Sequence, residues 1–234
     1  METIELLPNL HLLRFAVGQA YLWADAGELT LVDTGPPGEG EAIANAISEL
    51  GYAIDQLARI VLTHCHGDHT GSAAEIRTWS SAPIFAHPLE APRIRGEAPG
   101  RPPVLEDWER PLFEAVGDES LLLGPPVDVD EEVDEGDTLD FGGGATVLHV
   151  PGHTDGSIAL HLSEAAVLFT GDTIAESRGT VILGVFNLDR AAAVASMRRQ
   201  ADLEDVEVAC FGHGDPVLAD AGKRLREAAA ELSA

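Results

Sequence analysis

The sequence predicts a mixed α/β protein, folded as one domain over residues 1–234. Runs with strand-like alternation interleave with segments whose apolar residues recur at helical spacing. Apolar residues make up 45% of a 234-residue chain, enough to bury a sizeable core in a single sandwich. A third observation concerns strand ends: several run straight into a Gly-flanked His or Asp.

Taken in order, residues 10–16 and 19–24 alternate as strands, 24–28 read as a turn, and Leu29–Val32 is a further strand ending in Asp33-Thr34-Gly35. Ile43, Ile47 and Leu50 give 39–50 helical spacing, and Gly51 stops the helix. A strand over 59–63 delivers the stretch Thr63-His64-Cys65-His66-Gly67-Asp68-His69-Thr70-Gly71. A helix over 72–79 and a short strand over 83–87 follow. Residues 88–103 are Pro-rich and carry Arg93, Arg95 and Arg101 in an acidic chain. They read either as an irregular connector or as a rim that attracts an anionic group. Residues 104–116 are expected to be helical, with Leu105, Trp108, Leu112 and Phe113 inward, and 128–137 to be a solvated acidic face or turn. Strands resume at 138–141 and 145–150 and lead to Pro151-Gly152-His153. A hairpin of 158–162 and 166–170 ends in Gly171-Asp172-Thr173, and 174–188 read as a Gly-containing loop. An amphipathic helix over 189–201, a strand from Val206 to Phe211 ending in Gly212-His213-Gly214, and a closing helix over 219–232 complete the chain.

The chemistry sits at the strand ends. The chain has nine His, and three fall within positions 64–69. A polar loop of capping residues is the plain alternative, but such clustering is hard to reach by chance. In an extended segment alternate side chains share a face, so His64 and His66 point one way and Cys65 the other. A turn at Gly67 then presents Asp68 and His69 at a new angle. Imidazole with carboxylate suits Zn²⁺ or iron, and two sites side by side are within reach of these ligands. Three more strands end in a potential ligand: His153, Asp172 and His213. Asp33 either caps its loop or holds the metal-bearing loop by hydrogen bonds. His11, His87, His149 and His161 are left outside the site as surface or core histidines.

Charge and composition narrow the partners. Asp and Glu total 40 against 13 Arg and the single Lys223, a net charge of -26. Such a surface repels nucleic acid and anionic membranes, leaving a small-molecule substrate as the expected partner. The acidity fits either a high-salt cytoplasm or ordinary bias in an Ala/Gly/Arg-rich proteome. Two Cys make no disulfide framework, the acidic start is unlike a signal peptide, and no apolar stretch is long enough for a membrane span. A cytoplasmic location is the expectation.

The sequence resembles the metallo-β-lactamase superfamily in Val32-Asp33-Thr34-Gly35, His64-Cys65-His66-Gly67-Asp68-His69, Gly152-His153-Thr154, Gly171-Asp172-Thr173 and Gly212-His213-Gly214. The resemblance implies a four-layer αββα sandwich with a dinuclear metal site at the edge between two sheets. By the family pattern His64, His66 and His153 hold one metal, Asp68, His69 and His213 the second, and Asp172 bridges both. It implies two divalent ions, Zn²⁺ first with Fe or Mn as alternatives, and attack by a metal-bound hydroxide on a small ester, lactone or thioester. Asp68 is the expected catalytic proton carrier. Asp172 argues against a true β-lactamase, which lacks this bridging residue. Only 21 residues follow His213, so the helical domain of glyoxalase II has no expected counterpart, and Asp155 stands where the family usually has Pro. The alternatives carried are a mononuclear non-haem iron oxidoreductase like the persulfide dioxygenases, and a phosphodiesterase.

Overall fold

The computed structural model describes residues 1–25, 27–116 and 123–232. Ala26 of the expected 24–28 turn lies outside them. The described residues form two compact units, residues 1–100 with 123–133, and residues 101–116 with 134–232.

The first unit is built on a seven-stranded sheet in the order β1 to β7. Strands β1 (Glu2–Leu7), β2 (Leu10–Arg14), β3 (Gln19–Asp25) and β4 (Glu28–Val32) form an antiparallel meander. Strands β5 (Leu57–Val61), β6 (Ile84–Ala86) and β7 (Glu131–Glu132) continue it in parallel. Parallel neighbours need crossovers. Helix α1 (Gly40–Glu49) links β4 to β5, burying Ile43, Ala46 and Ile47, and Gly51 ends it with a φ of +88°. The helical turn α2 (Gly67–Thr70) and helix α3 (Ala73–Trp79) lie between β5 and β6, and α4 (Ala91–Ile94) follows β6. The core packs Leu22, Leu31, Ile60 and Ile84 of the sheet against Ile43, Ile47 and Ile76 of the helices.

The second unit holds a five-stranded sheet: β8 (Thr138–Leu139), β9 (Ala145–His149), β10 (Ile158–Leu162), β11 (Val167–Phe169) and β14 (Val208–Cys210). Their spatial order is β14-β11-β10-β9-β8, with only β11 and β14 parallel. Helices α6 (Arg190–Ala201) and α7 (Ala221–Glu231) bury Met197, Ala201 and Leu225 against Leu148, Leu168 and Phe211. Asp189 caps α6 by accepting from Ala192 N at 3.0 Å. No helix among the described residues is long and apolar enough to cross a membrane.

Four readings change. β1 was not expected, because an edge strand with Glu2, Thr3 and Glu5 exposed carries little apolar signal. The 174–188 segment is no simple loop: β12 (Ile174–Ser177) and β13 (Thr180–Leu183) pair as a hairpin. Its turn residues Arg178 and Gly179 both have positive φ, a primed-turn geometry that Arg hides from a sequence reading. The helix expected over 104–116 is only α5 (Arg110–Val116), and its burial is inverted. Trp108 is 61% and Leu112 45% exposed, whereas Glu109 is 3% exposed. In the 128–137 run, Glu131 and Glu132 form β7, and Asp130 pairs with Arg77.

Candidate metal centre

In the first unit, parallel pairing puts two polar strand ends together. Val32 of β4 is in register with Val61 of β5, so Asp33 and Thr63 emerge side by side. Asp33 takes a φ of +60°, an unusual backbone for a non-glycine residue, and its buried carboxylate becomes a hub. Oδ1 accepts Thr63 N at 2.8 Å, and Oδ2 accepts Thr63 Oγ1 at 2.8 Å and His69 Nδ1 at 2.9 Å. Because Thr63 Oγ1 gives its proton to Asp33, it accepts from His64 Nδ1, 3.0 Å away. The Nε2 atoms of His64 and His69 are thereby left with their lone pairs.

His66 caps the α2 turn, whose helical geometry presents Asp68 and His69. His64 Nε2 and His66 Nδ1 approach to 3.1 Å, and Asp68 Oδ2 lies 3.7 Å from His69 Nε2. Cys65 faces elsewhere, as alternation requires. It is buried in the apolar core, and its N–H donates to Glu90 Oε2 at 2.9 Å. Burial first, then the adjacent Glu90 carboxylate, push its thiol pKa well up.

In the second unit the same logic recurs. β9 and β11 both run antiparallel to β10, and β14 runs parallel to β11. The segments bearing His153, Asp172 and His213 therefore leave the same end of the sheet. Asp172 sits in a 3₁₀ turn, Gly171–Thr173, whose Gly171 carbonyl accepts Gly212 N at 3.1 Å. Asp172 Oδ2 lies 3.6 Å from His153 Nε2 and 3.2 Å from His213 Nε2. His153 Nδ1 donates to the carbonyl of Val185 at 3.1 Å, so its Nε2 also keeps the lone pair. Two glycines are required here. At Gly152 (φ +135°) a Cβ would strike the backbone of Ala193, and at Gly184 it would strike the Asp172 carbonyl.

The donors are of the kinds that suit divalent metal: three imidazoles and a carboxylate in the first unit, two imidazoles and a carboxylate in the second. Thr63, Glu90, Glu109 and the Val185 carbonyl were not found from sequence. A lone polar residue in a loop carries no signal until its partner is known. Of the three loop arginines, Arg93 donates to the Leu89 carbonyl, Arg95 to Glu132, and Arg101 to both oxygens of Asp155 at 2.7 and 2.6 Å. Among the histidines left outside, His149 Nε2 donates to the Asp155 carbonyl, and His87 Nδ1 accepts from Leu89 N.

A family model described as the metallo-beta-lactamase superfamily matches residues 13–213. The chain belongs to that superfamily. A probable metallo-hydrolase, YflN of Bacillus subtilis, is 27% identical over 248 residues, covering 98% of this chain and 91% of its own. A hydroxyacylglutathione hydrolase of Albidiferax ferrireducens is 32% identical over 199 residues, so the likeness runs well past the metal motifs. The match covers 82% of this chain and 61% of that one. Among solved structures, a metallo-beta-lactamase family protein of Thermus thermophilus, TTHA1429, superposes with a TM-score of 0.70 at 28% identity, over 97% of this chain and 79% of its own. The metallo-β-lactamase fold is therefore that of this chain, and the relatives named as metallo-hydrolase and hydroxyacylglutathione hydrolase place it among the metal-dependent hydrolases of the superfamily.

Proposed function

We propose that the protein hydrolyses a small ester, lactone or thioester with two bound divalent ions. On this reading His64, His66 and His153 would hold one ion and Asp68, His69 and His213 the other, with Asp172 as a ligand shared by both. Zn²⁺ is the metal proposed, with Fe and Mn as outcomes of metal analysis. The observation that carries the reading is shared by three imidazoles. His64, His69 and His153 each tie Nδ1 to Thr63, Asp33 or the Val185 carbonyl, which turns Nε2 outward as a ligand. When bound, such a metal pair supplies hydroxide at neutral pH and polarises the scissile carbonyl.

The remaining work falls to the chain. Asp68, buried beside His69, would take the proton of the attacking water and return it to the leaving group. Asp33 fixes the tautomers of His69 directly and of His64 through Thr63. A thioester is the preferred substrate, supported by the likeness to hydroxyacylglutathione hydrolases. The net charge of -26 favours a small-molecule partner over nucleic acid or membrane, and a cytoplasmic location is proposed with it. The test is turnover of a panel of thioesters, lactones, esters and phosphodiesters by metal-replete protein, alongside Asp68→Asn. Turnover should fall by on the order of 10²-fold or more in that variant, with its melting temperature retained. Unchanged turnover would remove Asp68 from the mechanism, and no hydrolysis across the panel would contradict the hydrolase reading.

A further inference from the structure

We infer that Glu109 is a positioning residue for His153, acting through the 184–188 turn. Glu109 is 3% exposed in a segment whose large apolar residues Val104, Trp108 and Leu112 lie outside. The segment is thus held by its carboxylate together with the Phe113 ring and a bond from Val104 N to the Asn187 carbonyl at 2.9 Å. Oε1 accepts Phe186 N at 3.0 Å, and Oε2 accepts Glu106 N at 2.8 Å. A buried carboxylate needs such partners, so both oxygens are committed to the backbone.

Phe186 is the point that needs holding. Its φ of +60° places a bulky side chain in the left-handed region, a conformation that persists only where neighbours impose it. The Glu109 bond is the one made to Phe186 N itself, beside Asn187 Nδ2 donating to the Gly184 carbonyl at 2.7 Å, and Phe113 packs edge-to-face on the Phe186 ring with centroids 5.2 Å apart. The residue before Phe186 is Val185, whose carbonyl accepts His153 Nδ1 at 3.1 Å, and Leu188 N donates to the His153 carbonyl at 3.2 Å. With the Val185 oxygen fixed, His153 carries its proton on Nδ1 and presents the lone pair of Nε2. Without Glu109 the left-handed turn relaxes and that oxygen leaves the ring.

This inference rests on the reading of His153 as a metal ligand, and the experiment separates the two. Stepwise zinc affinity is measured by chelator competition on wild type, Glu109→Gln, Glu109→Ala, Trp108→Ser and His153→Ala. The tautomer of metal-free His153 is read from its ring ¹H–¹⁵N couplings, assigned by their loss in His153→Ala. Glu109→Gln preserves size and one acceptor oxygen and so keeps the fold. It should weaken one of two zinc ions about tenfold, the lower end for groups behind a ligand, and erode the Nδ1–H tautomer. Glu109→Ala should do more, and Trp108→Ser nothing. Unchanged affinity and tautomer in both Glu109 variants would overturn the inference, as would an equal loss in Trp108→Ser. If His153→Ala keeps both zinc ions, the ligand reading fails. If it loses one while the Glu109 variants lose none, only the positioning role fails.

Discussion

Asp33 carries three hydrogen bonds on one buried carboxylate, so its replacement should act on metal binding before it acts on fold. Asp33→Asn keeps the shape but offers a single acceptor oxygen to Thr63 and His69. We expect zinc affinity to fall by about 10–100-fold, the usual cost of losing the partner behind a metal-ligating His. Chelator competition measures this, and affinity within twofold of wild type would contradict the hub role. Cys65 gives the opposite expectation. Its thiol, with its pKa raised by burial and by Glu90, stays protonated at neutral pH and serves neither as ligand nor as nucleophile. Cys65→Ala should keep metal content and turnover, and loss of a metal from a folded variant would refute it. The opposed directions of Cys65 and its flanking histidines were legible from alternation alone. The link from Asp33 to His69 was not, because it spans 36 positions and depends on which strands pair.

At the scale of elements, the sequence identified most strands by pattern and most candidate ligands by their position just after a strand. It missed where apolar pattern and burial part company. The Arg178-Gly179 turn concealed the β12–β13 hairpin, and the exposed Trp108 and Leu112 imitated an inward helix face. The start of β6 shows a different kind of fastening. Asp130 Oδ2 accepts Ile84 N at 2.8 Å, and Arg77 grips both carboxylate oxygens at 2.5 and 2.7 Å. The Arg77 bond, followed by that of Ile84, holds the Asp130 carboxyl below its ordinary value. A depressed folded-state pKa contributes stability above the unfolded value, near 3.9, and loses it as pH falls through the folded value. Asp130→Asn should therefore lower the melting temperature at pH 7 and flatten its fall below about pH 4. Both side chains are about a third exposed, at 33% and 31%, so solvent screening keeps the shift small. Parallel acid limbs for wild type and variant would contradict the assignment.

For the molecule as a whole, charge and metal dominate. With a net charge of -26, mutual repulsion opposes the compact state at low ionic strength. The Debye length falls from about 30 Å at 0.01 M to about 3 Å at 1 M, so KCl over that range should raise the melting temperature at fixed metal occupancy. A flat or falling series would refute the charge argument, and tight nucleic-acid binding at low salt would refute the proposed partner. Family membership was legible because the ligand motifs keep their order along the chain. The substrate was not, because no loop carries a comparable pattern. The central proposal is that His64, His66, Asp68, His69, His153, Asp172 and His213 would hold two ions, because seven ligands exceed one tetrahedral site. Elemental analysis of metal-replete protein tests it most directly: two divalent ions per chain is the predicted result, and one or none would contradict it.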